Sequence, residues 1–324
     1  MTLDLNPSTI ALATFDTLLG AYETTVRQIT RTKALATLNS KSKTKSKLKT
    51  NKTQTRKRTA PSEKEREDLD SVSEQVREFL ELDEWRYDVL PGLVADRRLD
   101  NERGGGGHLS REELVRLMEW KLKHGVYRPT LLGMIRQNQE KTISDTTTSA
   151  FSSLPASVEG KDGFEAIEAI ESALLTLTTP LRGVGPATAS LILSVACPEM
   201  IPFYSDDVYL WVCAGVYPSS SCSSKKSKEV KPNGNPNVKY NVAEYRRLWE
   251  GVEGLRARLN EEADEGKRVS CKDVEKVALV VRHFGLSGLG GCEEGEKEED
   301  LSESGEGAGR KKRRLGVRDA NSLV

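Results

Sequence analysis

The sequence predicts an all-α protein, and three observations support this. Apolar residues recur at helical spacing in several segments, most clearly in residues 164–177 and 271–284. No segment of the 324-residue chain alternates apolar and polar residues as a strand facing a core does. Ser110 and Glu113 have the spacing of a capping box at the start of an apolar-periodic segment. Helices packed on helices are therefore the expected architecture.

The N-terminal region is expected to form a helix of its own. Residues 8–29 have helical periodicity, and Ser8 after Pro7 is a suitable N-cap. Residues 38–67 are rich in Lys, Ser and Thr and have no apolar period, which predicts a disordered basic linker. This linker would separate an N-terminal segment, residues 1–37, from the main helical domain, residues 68–287.

The helices of the main domain are predicted from apolar stripes and end signals. Order is expected to resume near Leu69. A flexible loop at the glycines of 104–107 precedes a helix that Ser110 caps and Gly125 ends. Residues 218–239, rich in Ser, Lys, Pro and Asn, are expected to be a surface insertion, and 288–324 a disordered tail. Further helices are predicted over residues 130–138, 140–151, 164–177, 187–196, 242–262 and 271–284.

Whole-chain neutrality conceals opposite local charges. The chain has 49 basic and 49 acidic residues, yet residues 41–58 hold nine Lys or Arg and no acid. Residues 293–306 are strongly acidic, and residues 310–314 are all Lys or Arg. The two basic tracts fit recognition by the nuclear import machinery or nonspecific DNA contact, and they equally fit solvated, disordered charge. Neutral net charge therefore does not argue against a DNA partner.

Other classes of function find little support. The five cysteines are scattered without paired spacing, so neither a disulfide framework nor a metal site is expected, and no cofactor is expected. The three histidines are too dispersed to suggest a metal site. Residues 1–6 do not resemble a signal peptide. No apolar run approaches the ~20 residues that cross a bilayer, so no membrane association is expected.

The segment from residue 181 to 189, Leu-Arg-Gly-Val-Gly-Pro-Ala-Thr-Ala, is the most informative in the chain. Gly183 and Gly185 permit a tight turn and a close approach of another chain. Pro186 suits the first position of a helix, and the following residues, 187–196, are small and apolar, as in a buried helix. Such a helix start offers unpaired N–H groups to a phosphate. We call residues 183–188 the glycine hairpin; an ordinary packed corner is the alternative interpretation.

Residues 181–208 resemble the helix-hairpin-helix DNA glycosylases, such as endonuclease III and the adenine glycosylases. These proteins carry a hairpin of this form, a buried helix, a Pro, and then a catalytic Asp that caps the next helix. Pro202 and Val208 match this pattern, whereas Ser205 stands at the Asp position and Asp206 and Asp207 follow it. The resemblance implies a helix-hairpin-helix DNA glycosylase-like core that binds the DNA phosphate backbone through Gly183, Val184, Gly185, Ala187 and Thr188, with Arg182 at the edge.

A narrower resemblance, over about residues 75–285, is to the Amun group of eukaryotic glycosylase-like nuclear proteins. It rests on residues 119–129, Glu-Trp-Lys-Leu-Lys-His-Gly-Val-Tyr-Arg-Pro, together with residues 183–190 and 202–206. This resemblance implies a nuclear protein linked to DNA repair or chromatin. Endonuclease III relatives often carry a four-cysteine cluster after the catalytic helix, and this sequence lacks one, so no iron–sulfur cluster is expected.

Catalysis would depend on a carboxylate. A glycosylase cleaves a base–sugar bond through a cationic transition state, which a carboxylate can stabilise while it orients water. Ser205 cannot supply that charge, so Asp206 and Asp207 are the tentative catalytic residues; the alternative is that they only complement the helix dipole behind a Ser205 cap. Bifunctional relatives place a Schiff-base lysine where this chain has Ala187, so any activity is expected to be monofunctional.

A second basic cluster lies around the end of the helix that begins after Ser110. Lys121, Lys123 and Arg128 are candidate phosphate contacts, with Trp120 and Tyr127 as candidate stacking rings. The alternative is that the cations complement the helix terminus and the rings belong to the core.

Three hypotheses follow from these patterns. The first is a DNA-binding module of glycosylase ancestry whose catalysis is weakened or lost. The second is an active monofunctional DNA glycosylase, and the third is a noncatalytic protein-interaction scaffold. A carboxylate facing a concave, positively lined cleft favours the enzyme, carboxylates facing solvent favour the module, and an acidic surface around the hairpin favours the scaffold. The oligomeric state is left open.

Overall fold

A computed structural model describes residues 3–46, 63–99, 107–125, 128–154, 163–218, 228–264 and 266–289. Within these ranges the chain is helical and forms no strand; an isolated antiparallel bridge joins Val230 and Pro236. The predicted all-α class is therefore confirmed. The helices are α1 Leu12–Gly20, α2 Tyr22–Ser46, α3 Glu63–Glu84, α4 Leu90–Leu99, α5 Arg111–His124, α6 Pro129–Arg136, α7 Glu140–Ser152, α8 Gly163–Thr178, α9 Pro186–Ala196, α10 Asp206–Val208, α11 Val242–Glu262 and α12 Cys271–Arg282.

Helix α9 lies at the centre of the fold. All residues from Thr188 to Val195 are buried, as the small apolar sequence predicts, and α9 packs against α4, α7, α8 and α11. Helix α12 is buried almost as completely and contacts α1, α2, α10 and α11. Helices buried all round belong in the interior of a bundle, so α9 and α12 carry the hydrophobic core.

Local end signals fix most helix boundaries. The predicted capping box forms at α5, where Ser110 Oγ accepts from the Glu113 N–H and Gly125 follows the helix. Asn241 and Ser270 make equivalent boxes at the starts of α11 and α12. Each box satisfies N–H groups that the first helical turn leaves unpaired.

The N-terminal segment packs into the same core as the rest of the described chain. Phe15 and Leu18 of α1 are fully buried, and α1 packs against α12. Trp211 Nε1 donates to the carbonyl oxygen of Leu5 at 2.8 Å, and Arg258 Nη1 donates to that of Ile10 at 2.8 Å. Residues more than 200 positions apart in the sequence therefore hold this segment in place.

The expectation of disorder across residues 38–67 is wrong at both ends of that range. Helix α2 continues to Ser46 and α3 begins at Glu63, so within the range 38–67 it is residues 47–62 that lie outside the described chain. The cause is helix continuation: Lys and Ser cost a helix little once the preceding turns are anchored, and α2 packs along α3. The acidic and basic tail at 290–324 also lies outside the described residues.

A buried polar network joins α3, α5, α9 and α12. Two consecutive helices, α3 and α4, are linked by a π-helical turn at Trp85–Val89, and this turn carries Arg86. Arg86 is fully buried and pairs with Glu275 of α12 at 2.8 Å, while its Nη2 also donates to Ser194 Oγ at 2.9 Å. The guanidinium carbon lies 4.0 Å from the centroid of the Tyr87 ring. The opposite charges of Arg86 and Glu275 compensate each other in the low-dielectric interior, where either charge alone would be costly.

Glu275 also fixes the backbone that leads to the predicted site. Its second carboxylate oxygen accepts from the Phe203 N–H at 2.7 Å. On the other side of the network, Asp83 accepts from Trp120 Nε1 at 2.7 Å and from the Tyr22 hydroxyl at 2.9 Å. Buried hydrogen bonds thus join α12 to the segment at Phe203, and join α3 to α2 and α5. Among the residues described, no helix combines the length and apolarity needed to cross a bilayer.

Removing the Glu275 carboxylate should be severely destabilising. Glu275→Ala leaves the Arg86 charge and the Phe203 N–H unpaired in the interior, and we expect a loss of about 3–5 kcal/mol in the free energy of unfolding. Urea denaturation followed by circular dichroism measures it. The matched control is Glu81→Ala, which breaks an exposed ion pair with Arg77 and should cost no more than about 0.5 kcal/mol. Equal losses in the two variants would contradict the assignment.

Candidate active-site cavity beside the glycine hairpin

The glycine hairpin turns tightly between α8 and α9. Gly183 has a φ of +79°, and a Cβ placed on it would lie 3.1 Å from Met134 Cβ, so both conformation and space require glycine there. The buried side chain of Asn138 clamps the preceding residue: its Oδ1 accepts from the Arg182 N–H at 2.8 Å and its Nδ2 donates to the Arg182 carbonyl at 3.0 Å. The hairpin is therefore held rigidly on the end of α6.

The second glycine of the hairpin has a different role. Gly185 is the N-cap of α9 with a φ of −102°, and a Cβ on it would meet nothing within 4 Å. Pro186 follows at the predicted first helical position. The N–H groups of Gly185 and Ala187 have no acceptor among the described residues, so they are available to an incoming anion. Open space over Gly185 leaves its backbone accessible from outside.

A cavity of about 550 Å³ opens beside the hairpin. The hairpin and the start of α9 line it, as does the segment that leads into α10, with Asp206 and Asp207. The end of α5 also lines it, as do Asn235, Lys239 and Tyr240, and α2 and α12 contribute further residues. The charged side chains that line it are Lys33, Lys121, Arg128, Asp206, Asp207, Lys239 and Arg282. Two carboxyl groups thus share a concave site with five Lys and Arg side chains.

Asp206 is held by a tyrosine that follows the predicted insertion. The Tyr240 hydroxyl donates to Asp206 Oδ1 at 2.6 Å, and the Arg128 guanidinium carbon lies 5.6 Å from the centroid of the Tyr240 ring. Burial and the Asp206 carboxylate raise the pKa of Tyr240, so its hydroxyl remains a donor. Tyr240 also has a φ of +57°, an unfavourable backbone conformation for a residue other than glycine. Strain at a hydrogen-bonding residue of a cavity is typical of functional sites.

The environment of Asp207 disfavours the ionised form of its carboxyl group. Burial, followed by the neighbouring Asp206 carboxylate, raises the pKa of Asp207 to about 6, although Arg282 and Lys33 oppose the shift. Arg282 Nε lies 3.9 Å from Asp207 Oδ1. A carboxyl group with a pKa near 6 can accept or release a proton near neutral pH.

The cations of the cavity are placed by contacts with helix ends. Lys121 Nζ donates to Thr188 Oγ1 at 2.7 Å and thereby joins α5 to the first turn of α9. Lys33 Nζ donates to the carbonyl oxygens of Lys123 at 3.0 Å and His124 at 2.9 Å, which satisfies the free carbonyls at the end of α5. Burial lowers the pKa of His124 to about 3, so this ring is neutral.

No family model, curated protein or solved structure matches this chain. Within the described chain, no group of three or more His, Cys, Asp or Glu side chains is arranged to hold a metal ion.

Most of the residues predicted from the hairpin and acidic motifs come together in the cavity. Asp206, Asp207, Lys121 and Arg128 line it, although they lie on three separate segments of the chain. The hairpin residues Gly183, Gly185, Ala187 and Thr188 line the same cavity. Ser205, at the Asp position of the resembled family, is the N-cap of α10 and accepts from the Val208 N–H at 3.1 Å, as its alternative interpretation predicts.

Other predicted residues lie elsewhere. The Val184 side chain is 5% exposed and anchors the hairpin in the core, so it does not face an incoming chain. Arg182 is exposed and donates to Gln137 Oε1 at 3.2 Å, and Lys123 is exposed outside the cavity. Trp120 is fully buried and bonds to Asp83, which excludes it as a stacking platform. Tyr127 lies outside the described residues.

Sequence patterns missed several lining residues. Tyr240 lies immediately after the stretch interpreted as a surface insertion, and Lys33 lies on the helix assigned to a separate N-terminal segment. Arg282 and His283, at the end of α12, carried no motif. Asn138 gave no signal either, since its importance depends on contact with a hairpin that is 44 positions away.

The two hairpin glycines should respond differently to alanine. Gly183→Ala forces a positive φ on alanine and crowds Met134, so we expect a loss of about 1–3 kcal/mol in unfolding free energy. Gly185→Ala meets open space and should change it by less than about 1 kcal/mol. Thermal and urea unfolding of both variants measures this. A Gly185→Ala loss equal to that of Gly183→Ala would show that both glycines serve packing.

Asp207→Asn should stabilise the protein at neutral and higher pH. The folded-state pKa of about 6 exceeds the ordinary value of 3.8, so the unfolded chain releases this proton first as pH rises. Wild type therefore loses stability relative to the variant between about pH 4 and pH 6, and above pH 6 the full difference, about 2–3 kcal/mol, is present. Urea unfolding at pH 4.5 and pH 8 measures it. The exposed control Asp145→Asn should show no comparable gain at pH 8.

Proposed function

We propose that the protein is a DNA glycosylase of the helix-hairpin-helix type, which holds the DNA backbone on the glycine hairpin and hydrolyses a base–sugar bond in the adjoining cavity. The observation that carries the proposal is the position of Asp206 and Asp207 in a concave, largely cationic cavity that the hairpin itself lines. This is the arrangement that favours an enzyme over a binding module. The resemblance of residues 181–208 to that family supports the same reaction.

The hairpin side of the cavity suits a phosphate. The N–H groups of Gly185 and Ala187 point from the start of α9, whose dipole favours an anion. Arg128 adds positive charge to the cavity, and Lys121 donates a hydrogen bond to Thr188 in the first turn of α9. Contacts of this kind position the duplex and carry no base preference.

The acidic side suits cleavage of the glycosidic bond. Departure of the base leaves positive charge on the sugar, which a nearby carboxylate stabilises strongly in a site of low dielectric. We assign that role to Asp206, whose carboxylate accepts a hydrogen bond from the Tyr240 hydroxyl. The pKa of Asp207, near 6, supports its assignment as the group that takes a proton from the attacking water. A cavity of about 550 Å³ is large enough to receive an extruded base.

The second candidate function is a noncatalytic DNA-binding module. It is favoured by one observation: Ser205 stands where the resembled family has its catalytic Asp, and its hydroxyl is engaged in capping α10. The interaction scaffold has no comparable support, because the surroundings of the hairpin are cationic. For either DNA function, the resemblance to the Amun group supports action in the nucleus.

Base excision from duplexes that carry a panel of damaged and mispaired bases tests the proposal. Strand cleavage after alkali treatment reports excision, and we expect Asp206→Asn or Asp207→Asn to lower its rate by about 100-fold or more while DNA binding is retained. Asp145→Asn is the matched control on the exposed face of α7. Binding by all proteins without excision of any base would support the module instead.

DNA binding itself is tested by salt and by Gly185→Ala. Affinity should fall as salt rises if phosphates are bound, and Arg128→Gln should reduce the slope of log affinity against log salt by about 1. A methyl group on Gly185 would stand where the backbone receives a phosphate, so affinity should fall although the fold is retained. Salt-independent binding, or none at low salt, would contradict both DNA functions.

A further inference from the structure

Lys121 has an unusual position for a lysine. Lys121 lines the same cavity as the hairpin and Asp206, and the hydrogen bond from its ε-amine to Thr188 Oγ1 holds that amine at the start of α9. No ion pair joins this amine to a carboxylate within the described chain. The Phe203 ring centroid lies 5.5 Å from Nζ and covers one side of it. The group is thus partly withdrawn from water and open to the cavity.

This environment makes the amine nucleophilic. Burial, and then the positive charge of Arg128, lowers the pKa of Lys121 to about 7, so much of the amine is neutral at physiological pH. A neutral lysine amine attacks carbonyl carbons, whereas a protonated one does not. The Asp206 carboxylate in the same cavity is available as a proton acceptor.

We propose that Lys121 is the nucleophile of an abasic-site lyase activity, which forms an imine with the ring-opened deoxyribose aldehyde left after base removal. The inference rests on the proposed function, because that reaction delivers an abasic sugar into the cavity. It departs from what the resemblance implies, since Ala187 removes the hairpin lysine of bifunctional relatives. Here the amine comes from α5 instead and reaches the hairpin through Thr188.

The steps balance without any oxidant or reductant. The Lys121 nitrogen bonds to C1′ of the aldehyde, and the carbonyl oxygen leaves as water. Asp206 then takes a proton from C2′; the electron pair forms a C2′–C3′ double bond, and the C3′–O bond breaks, releasing the downstream strand with its 5′-phosphate. Water hydrolyses the imine, which returns the amine and leaves an unsaturated aldehyde on the upstream strand.

Borohydride trapping tests the inference with the full-length protein and a duplex that carries a preformed abasic site, so that base excision is not needed. Reduction of the imine gives a stable covalent protein–DNA complex, and peptide mass mapping of the wild-type complex should place it on Lys121. Lys121→Arg, which keeps the positive charge but has no nucleophilic amine, should lose the complex. Lys141→Ala, an exposed lysine of α7, should form it as wild type does.

Two further readouts separate chemistry from structure. The initial rate of trapping should rise with pH about a midpoint near 7, the pKa of Lys121, and circular dichroism shows whether Lys121→Arg is folded. A complex mapped to Lys33, Lys239 or the chain terminus, or no complex at all, overturns the inference. Excision that needs alkali for strand cleavage, without a trapped complex, would retain the proposed glycosylase and reject the lyase.

Discussion

The buried ion pair between Arg86 and Glu275 is the constraint on which the site depends. Arg86 lies fully buried on the π-helical turn after α3, and Glu275 lies on the core helix α12. Because an isolated charge in the interior is costly, the pair holds the π-helical turn against α12 in the folded protein. Glu275 also bonds the backbone N–H of Phe203, three residues before Asp206. The interaction that closes the core therefore also sets where the acidic segment enters the cavity.

The cavity concentrates charges that a core would otherwise exclude. The environment of Asp207 raises its pKa to about 6, so an ionised Asp207 costs the fold free energy at neutral pH. Tyr240 holds Asp206 from a backbone conformation with a φ of +57°. Neither the raised pKa of Asp207 nor the positive φ of Tyr240 improves packing, and the surrounding fold maintains both. Unfavourable local terms that the surrounding structure imposes are typical of sites that act on a ligand.

The hairpin shows how two similar residues serve different ends. Gly183 is required by its positive φ and by the closeness of Met134, which is a demand of packing. Gly185 has an ordinary φ and open space above it, so the fold alone would accept a larger residue there. What a glycine at this position gains is an accessible backbone at the start of α9. The same short motif thus contains one glycine that the fold requires, Gly183, and one that leaves the backbone accessible to a ligand, Gly185.

Local sequence determined the helices, because capping and periodicity act over a few residues. The sequence alone predicted the capping box at Ser110 and Glu113 and the position of Pro186 at the start of α9. It also showed the glycine hairpin and the acidic residues that follow it. Tertiary structure alone decided that the helix beyond residue 38 continues to Ser46, that Trp120 is buried, and that Lys33, Tyr240 and Arg282 line the cavity. It also decided that Lys121 meets Thr188, 67 positions away. Burial and long-range pairing arise from packing between distant segments, and no local pattern encodes them.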